Sequence, residues 1–293
     1  MGWKFYYILF VNPRLKSWVN EKKLLQLITG LFYFNITGKI FMDELKIKKL
    51  TEANIADEHI CCAISDKKCT DGYNAKKDWL KNQFKDGYVF KKLDVRGKVF
   101  IEYVPAEKGW VPIDAPNYML INCFWVSGKF KGNGHGKELL QECVNDAKNM
   151  NGIVAVVGQK KQPFMSDKKF FELQGFELCD KAEPYFELWY KPFKKNAPVP
   201  KLKDIAKKAE CDVKKGLSVY YTNACPYTEY YVNTELKRVA RDKGIKIKII
   251  KLETKEAAQN HFVPHTIYSV FYNGKFVTQH ILNEKNFDKF ITA

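Results

Sequence analysis

Residues 130–140 read FKGNGHGKELL: Gly132, Gly134 and Gly136 stand at every second position, with Lys131 and Lys137 beside them. A leucine-bearing helix begins directly after. A glycine-rich turn that opens a helix presents several backbone N–H groups outward. The helix N-terminus adds partial positive charge, so the place suits phosphate. Glycine serves because a Cβ would block close approach and forbid some of the required dihedrals. The plainer reading is a tight turn with nothing bound. A second chemical candidate is Cys225, in LSVYYTNACPYTEYY (217–231). It ends a strand-like run and precedes a helix, a position that stabilises thiolate and lowers a thiol's pKa.

The elements that must position these groups follow from periodicity. Strand patterns cover 44–50, 87–93, 98–104, 117–126 and 152–158, with further strands near 176–179 and 185–190. Helical patterns cover 51–64, 74–84, 136–149 and roughly 166–174. The strand 117–126 leads straight into the glycine turn. Residues 191–204, KPFKKNAPVPKLKD, hold three prolines and many lysines without periodicity, which reads as a linker. Beyond it the order is strand 217–222, helix 226–243, strand 245–252, helix 253–260, strands 266–272 and 275–281, and helix 283–291.

Two nucleotide motifs are excluded. There is no GxxxxGK[ST], and the glycine spacing is wrong for GxGxxG, with no acidic residue ending the strand GIVAVVG (152–158). What remains, Lys131-Gly132-Asn133-Gly134-His135-Gly136, resembles the Gln/Arg-x-x-Gly-x-Gly/Ala loop of the GNAT superfamily of N-acetyltransferases, with lysine in the Gln/Arg position. KKFFELQGFEL (168–178) resembles that family's second signature, in the right order. The stretches KGWVPIDAPNYMLINCFWVSGKFKG, KKQPFMSDKKFF and AEPYFELWY, with the later VYYTNACPYTEYY and SVFYNGKFVTQHIL, look like YoaP-like acetyltransferases. In these an acetyltransferase domain precedes a small thioredoxin-like one.

The resemblance implies an α/β chain: a GNAT acetyl-CoA-binding fold over 42–190, a mixed, mostly antiparallel sheet with flanking helices. A linker over 191–215 and a thioredoxin/glutaredoxin-like domain over 216–293 follow. It implies acetyl-CoA as co-substrate, held by Phe124, Trp125 and Val126 and by the loop Lys131, Gly132, Asn133, Gly134, His135, Gly136 and Lys137. It also implies an acyltransferase in which an amine attacks the thioester directly. That chemistry needs orientation, a path for the amine proton, and an N–H donor for the oxyanion, placed near Val126. The family's usual proton-donating tyrosine is replaced by Phe171, leaving Cys123, Ser166, Tyr185 or water. Glu102 is the candidate base, against the plainer reading of a solvated edge glutamate. Cys123 as an acyl-accepting nucleophile stands against a small apolar filler. In the C-terminal part Thr228 occupies the place of a second redox cysteine, so Cys225 cannot close a CxxC disulfide. A binding module is favoured there over a redox enzyme. The competing function is a thiol-handling protein using Cys225, with the GNAT fold as a coenzyme A-binding module.

The chain has 293 residues, a net charge of +16 and eight cysteines without metal-ligand spacing. Reduced thiols and the lack of a secretory signal lead to an expectation of the cytoplasm. The charge is spread over many lysines and suits a polyanionic small molecule. No aromatic-rich basic motif points to nucleic acid. FYYILFV (5–11) and LLQLITGLFYF (24–34) are each far shorter than the ~20 residues that span a bilayer, so no membrane partner is expected. Residues 1–41 read as an extension ahead of a functional start at Met42.

Overall fold

The computed structural model describes residues 46–291, so the expectation for residues 1–41 lies outside the described residues. Among the described residues thirteen strands appear in chain order. They are β1 (Ile47–Leu50), β2 (Val89–Leu93), β3 (Val99–Pro105), β4 (Ile113–Asp114), β5 (Tyr118–Val126), β6 (Gly152–Gly158), β7 (Glu177–Ala182), β8 (Phe186–Pro192), β9 (Lys201–Leu202), β10 (Leu217–Tyr221), β11 (Ile247–Lys251), β12 (Tyr268–Tyr272) and β13 (Lys275–Thr278). The first sheet runs β1-β2-β3-β5-β6-β8-β7. All its neighbours are antiparallel except β5 and β6. It is the mixed, mostly antiparallel sheet that the resemblance implied.

Helix α1 (Thr70–Lys85) packs toward one face and α2 (His135–Asp146) covers the other. The reason is the two-residue period of β3 and β5. Val99, Ile101 and Tyr103 share a core with Leu139, Leu140 and Cys143 of α2 and with Phe171 of α3 (Lys168–Leu173). Phe100 points the opposite way, into a second core with residues of the C-terminal sheet.

Residues 51–64, expected as a helix, are instead a series of turns. Asn54 starts the departure: its side chain accepts from Thr51 N–H and donates to the Lys49 carbonyl, offering the backbone an alternative to helix. Cys61 and Ala63 then take positive φ, which no helix accommodates.

The segment expected as a linker is laid onto the first sheet. Leu202 is buried, as is Ala206 on α4 (Asp204–Lys207), and β9 pairs with β4. The Asp180 carboxylate holds the Leu202 N–H at 2.8 Å and the Lys207 ammonium at 2.7 Å. These bonds outweigh the burial that would raise its pKa, and hold that carboxyl below its ordinary range.

The C-terminal sheet runs β11-β10-β12-β13. β10 and β11 are parallel, joined through α5 (Thr228–Tyr230), a π-helical stretch (Tyr231–Leu236) and α6 (Lys237–Asp242). The helix α7 (Lys255–Gln259) follows, then the antiparallel β12 and β13, then α8 (Phe287–Phe290). From Ile47 onward the described chain forms one compact unit. Polar bonds fasten its two sheets: Thr266 Oγ1 donates to the Trp110 carbonyl at 2.6 Å, and Gln259 Nε2 to the Gly109 carbonyl at 2.8 Å. Among the described residues no helix is long and apolar enough to cross a membrane.

Candidate active site

The loop ahead of α2 is built to meet an anion. Gly132 and Gly134 have φ of +81° and +87°, which an L-residue rarely adopts. The backbone they shape leaves the N–H groups of residues 132–136 without an acceptor among the described residues. A Cβ on Gly132 would meet only open space, so what the glycine keeps free is the surface of the loop itself. Gly136 serves packing instead, since a Cβ there would press on Phe170 and Phe124. Lys131 and Lys137 flank the loop. The cleft before it, about 600 Å³, is also walled by Lys161, Phe170 and Leu173. Of the residues expected to hold a cofactor, all but Asn133 line it. The Asn133 amide turns back to the Lys129 carbonyl at 3.0 Å. The His135 ring lies 2.9 Å from the Glu138 carboxylate.

Where the cleft meets the sheet, two parallel strands part. β5 pairs with β6 only through Ile121 and Ala155, leaving residues 122–126 without that neighbour. Backbone groups of a strand alternate sides in the plane of the sheet. Ser127 N–H donates to Lys98 carbonyl at 3.0 Å toward β3, so Val126 N–H points the other way, into the gap. The Phe124 carbonyl also faces the gap, where Ser166 Oγ donates to it at 3.4 Å. A bulge at Asn122, between the pairs Glu102–Cys123 and Tyr103–Ile121, resets the strand just before it opens.

Beside the gap lies a chamber of about 170 Å³, sharing Phe124, Trp125 and Met165 with the cleft. Its floor is one face of the β3–β5 ladder: Lys98, Phe100, Glu102, Cys123 and Trp125. Its roof comes from the other sheet's loops, with Ala224, Cys225, Pro226, Tyr227 and Ile267. The three residues proposed from sequence for chemistry, Glu102, Cys123 and Cys225, therefore meet around one cavity.

The chain is similar to known proteins over most of its length. The acetyltransferase (GNAT) family matches residues 54–176 and the YoaP-like family residues 246–289. A Bacillus subtilis (strain 168) protein, described as the uncharacterized N-acetyltransferase YoaP, is 45% identical over 247 residues, which is 84% of this chain and 98% of that one. The chain is a GNAT-family acetyltransferase with a YoaP-like domain. It is thus an acyltransferase. Two solved structures are similar to part of it. One is the GNAT family N-acetyltransferase YhbS from Escherichia coli in complex with CoA, 14% identical with a TM-score of 0.35, covering 54% of this chain and 89% of that one. The other is a GNAT family acetyltransferase from Brucella melitensis in complex with acetyl-CoA, 16% identical with a TM-score of 0.33, covering 53% and 91%.

In this acetyltransferase the buried groups differ from what sequence suggested. Glu102 is no solvated edge residue. It is 3% exposed, and its Oε2 accepts from Lys76 Nζ at 2.6 Å and from the Tyr88 hydroxyl. Asn122 Nδ2 holds that hydroxyl in turn at 2.9 Å. Burial pushes the Cys123 thiol far above its ordinary value, and Glu102 nearby adds to the rise, which disfavours the thiolate. Burial also pushes the Cys225 thiol up to about 12, the reverse of the lowered value expected at a helix start. Desolvation outweighs the helix terminus there. Thr228, in the place of a second cysteine, donates to the Thr222 and Cys225 carbonyls. Phe171 is fully buried in the α2 core, and Tyr185 packs against Phe276 and lines neither cavity.

Sequence reading missed Lys76, Tyr88, Cys62, Lys98 and Tyr227. Tyr227 lies in the Cys225 stretch, where the cysteine alone drew notice, and the segments of the other four carry no motif. They converge only because α1 and the turns after β1 fold back over the β3–β5 face, and because the Cys225 loop is set down on α1 at Gly72.

Proposed function

We propose that the protein transfers the acetyl group of acetyl-CoA to the amine of a small acceptor, by direct attack in a ternary complex. The observation that carries this reading is that the cleft lined by the glycine loop shares Phe124, Trp125 and Met165 with a chamber at the place where β5 and β6 part. The residues fit the co-substrate. The acceptor-free N–H groups of 132–136, with Lys131, Lys137 and Lys161, suit its diphosphate. The unpaired edge of β5 offers backbone partners to its amide-bearing arm. Val126 N–H is the donor for the oxyanion that forms on the thioester carbonyl.

Glu102 receives the proton of the attacking amine. Its Oε1 has no protein donor among the described residues, while Lys76 and Tyr88 fix Oε2. The proton removed from the amine is the one the departing coenzyme A thiolate takes up, so no tyrosine at position 171 is required. The C-terminal unit is thioredoxin-like, a reading supported by its strand–helix–strand start, its antiparallel hairpin and its closing helix. It serves as the wall of the acceptor site and not as a redox centre. The free thiols support a reducing compartment, the cytoplasm.

The test is calorimetric titration with acetyl-CoA of the wild type and of Gly134→Glu, followed by acetylation of a lysate metabolite pool with labelled acetyl-CoA. Saturable binding lost in the variant, with labelled amine products only from wild type, is the expected result. Equal binding by the two proteins would overturn it.

A further inference from the structure

Acetyl transfer requires an acceptor, and the chamber carries a charge that no carboxylate among the described residues balances. Two lysines line the chamber. Lys76 is paired with Glu102 at 2.6 Å, so those charges cancel. Lys98, on the same face of β3, is half-buried and has no carboxylate partner among the described residues. It has only the Tyr227 hydroxyl at 3.3 Å and the Tyr227 ring 5.6 Å from its ammonium. Burying a cation without an anion costs free energy, and the half-buried Lys98 bears part of that cost.

The tyrosine shows the same want of an acceptor. A phenol has one O–H to donate and lone pairs to accept with. The Tyr227 oxygen already accepts from Ala63 N–H at 3.2 Å and from Lys98. Its own hydrogen has no acceptor among the described residues. Two donors, one of them charged, thus converge on a small cavity and lack an oxygen to bind. Apart from the Lys76–Glu102 pair and Ser166, the wall is mainly apolar, with Ile60, Phe100, Phe164 and Ile267. At about 170 Å³ the chamber is below the usual size of a ligand site, roughly 300–1,000 Å³.

We propose that Lys98 and Tyr227 form a carboxylate subsite, and that the acceptor is a small aminocarboxylate with a short apolar body. The carboxylate seats between the ammonium of Lys98 and the hydroxyl of Tyr227, which leaves the amine to face the mouth shared with the cleft, at Trp125 and Met165. The subsite is assembled from both sheets, so the C-terminal domain sets specificity. This inference rests on the acetyl-transfer reading above.

The experiment compares alanine, 2-aminobutyrate and norvaline with ethylamine, propylamine and butylamine, and includes 1-aminobutylphosphonate. Coenzyme A release is followed at saturating acetyl-CoA. The acids are expected to exceed their matched amines in kcat/KM by about tenfold or more. Lys98→Met is expected to erase that preference through the acceptor KM, with the KM for acetyl-CoA unmoved. Lys98→Arg should restore part of it, and Tyr227→Phe should cost about threefold. Unfolding midpoints of the variants report whether each is folded. Equal use of acids and amines, an unchanged ratio in Lys98→Met, or a preference for the phosphonate would overturn the subsite. So would turnover of none of them by a protein that binds acetyl-CoA. Failure to bind acetyl-CoA at all would instead remove the acetyl-transfer reading beneath it.

Discussion

The carbonyl oxygen of Pro226 occupies the place where a Cβ on Gly72 would stand. Helix α1 and the Cys225 loop can therefore touch backbone to backbone, and that contact sets the roof over the chamber. Gly72→Ala should lower stability by about 1–3 kcal/mol through overpacking, against roughly 1 kcal/mol of gained helix propensity. Urea unfolding measures the balance. Because the contact lies away from the glycine loop, the affinity for acetyl-CoA should hold while the acceptor KM rises.

Gly134 has a different duty. At φ +87° it shapes the row of free N–H groups. Gly134→Ala should weaken acetyl-CoA binding by about tenfold or more, with the circular dichroism spectrum unchanged. Titration calorimetry decides it.

The Lys76–Glu102 pair is buried on both sides, with side-chain exposures of 2% and 4%. Lys76→Met leaves a buried carboxylate without its cation and should destabilise by about 3–5 kcal/mol. The double variant Lys76→Met, Glu102→Leu should recover most of that stability yet transfer no acetyl group at a measurable rate. A double-mutant cycle in urea, with assays on each protein, separates the two roles.

His261 and His265 are buried in the C-terminal domain. Burial lowers His261 to about 3 from an ordinary value near 6.5, and His265 to about 4. The folded state thus disfavours the imidazolium, and as pH falls below 6.5 the unfolded chain takes up protons first. Stability present above that pH is lost on the way down to 4 and 3, by about 1.4 kcal/mol per pH unit for each histidine. Unfolding midpoints at pH 7 and pH 5 should differ accordingly, and His265→Asn should roughly halve the slope.

A Cys225 thiol raised to about 12 has little thiolate at neutral pH. Iodoacetamide should label it slowly in the native protein and rapidly in urea, as mass spectrometry of the tryptic peptide would show. Cys225→Ala should keep acetyl transfer. Fast native labelling would favour thiol chemistry in its place.

Local pattern was enough to determine the strands of the first sheet, the glycine loop and the helix behind it. Alternation, turn residues and backbone geometry all act within a few residues. The same locality misled at 51–64, where Asn54 diverts the backbone, and at 191–204, whose prolines and lysines hide a strand pair and the Asp180 tether. What Glu102, Cys123 and Cys225 are was decided only in three dimensions. Glu102 reads as solvated and Cys225 as reactive until α1, β3 and the C-terminal loop close around them and exclude water. Burial is a sum over distant segments, so the desolvation that dominates the two thiols has no sequence signature. For the same reason the unpaired charge of Lys98 emerges only once the folded walls around it are known.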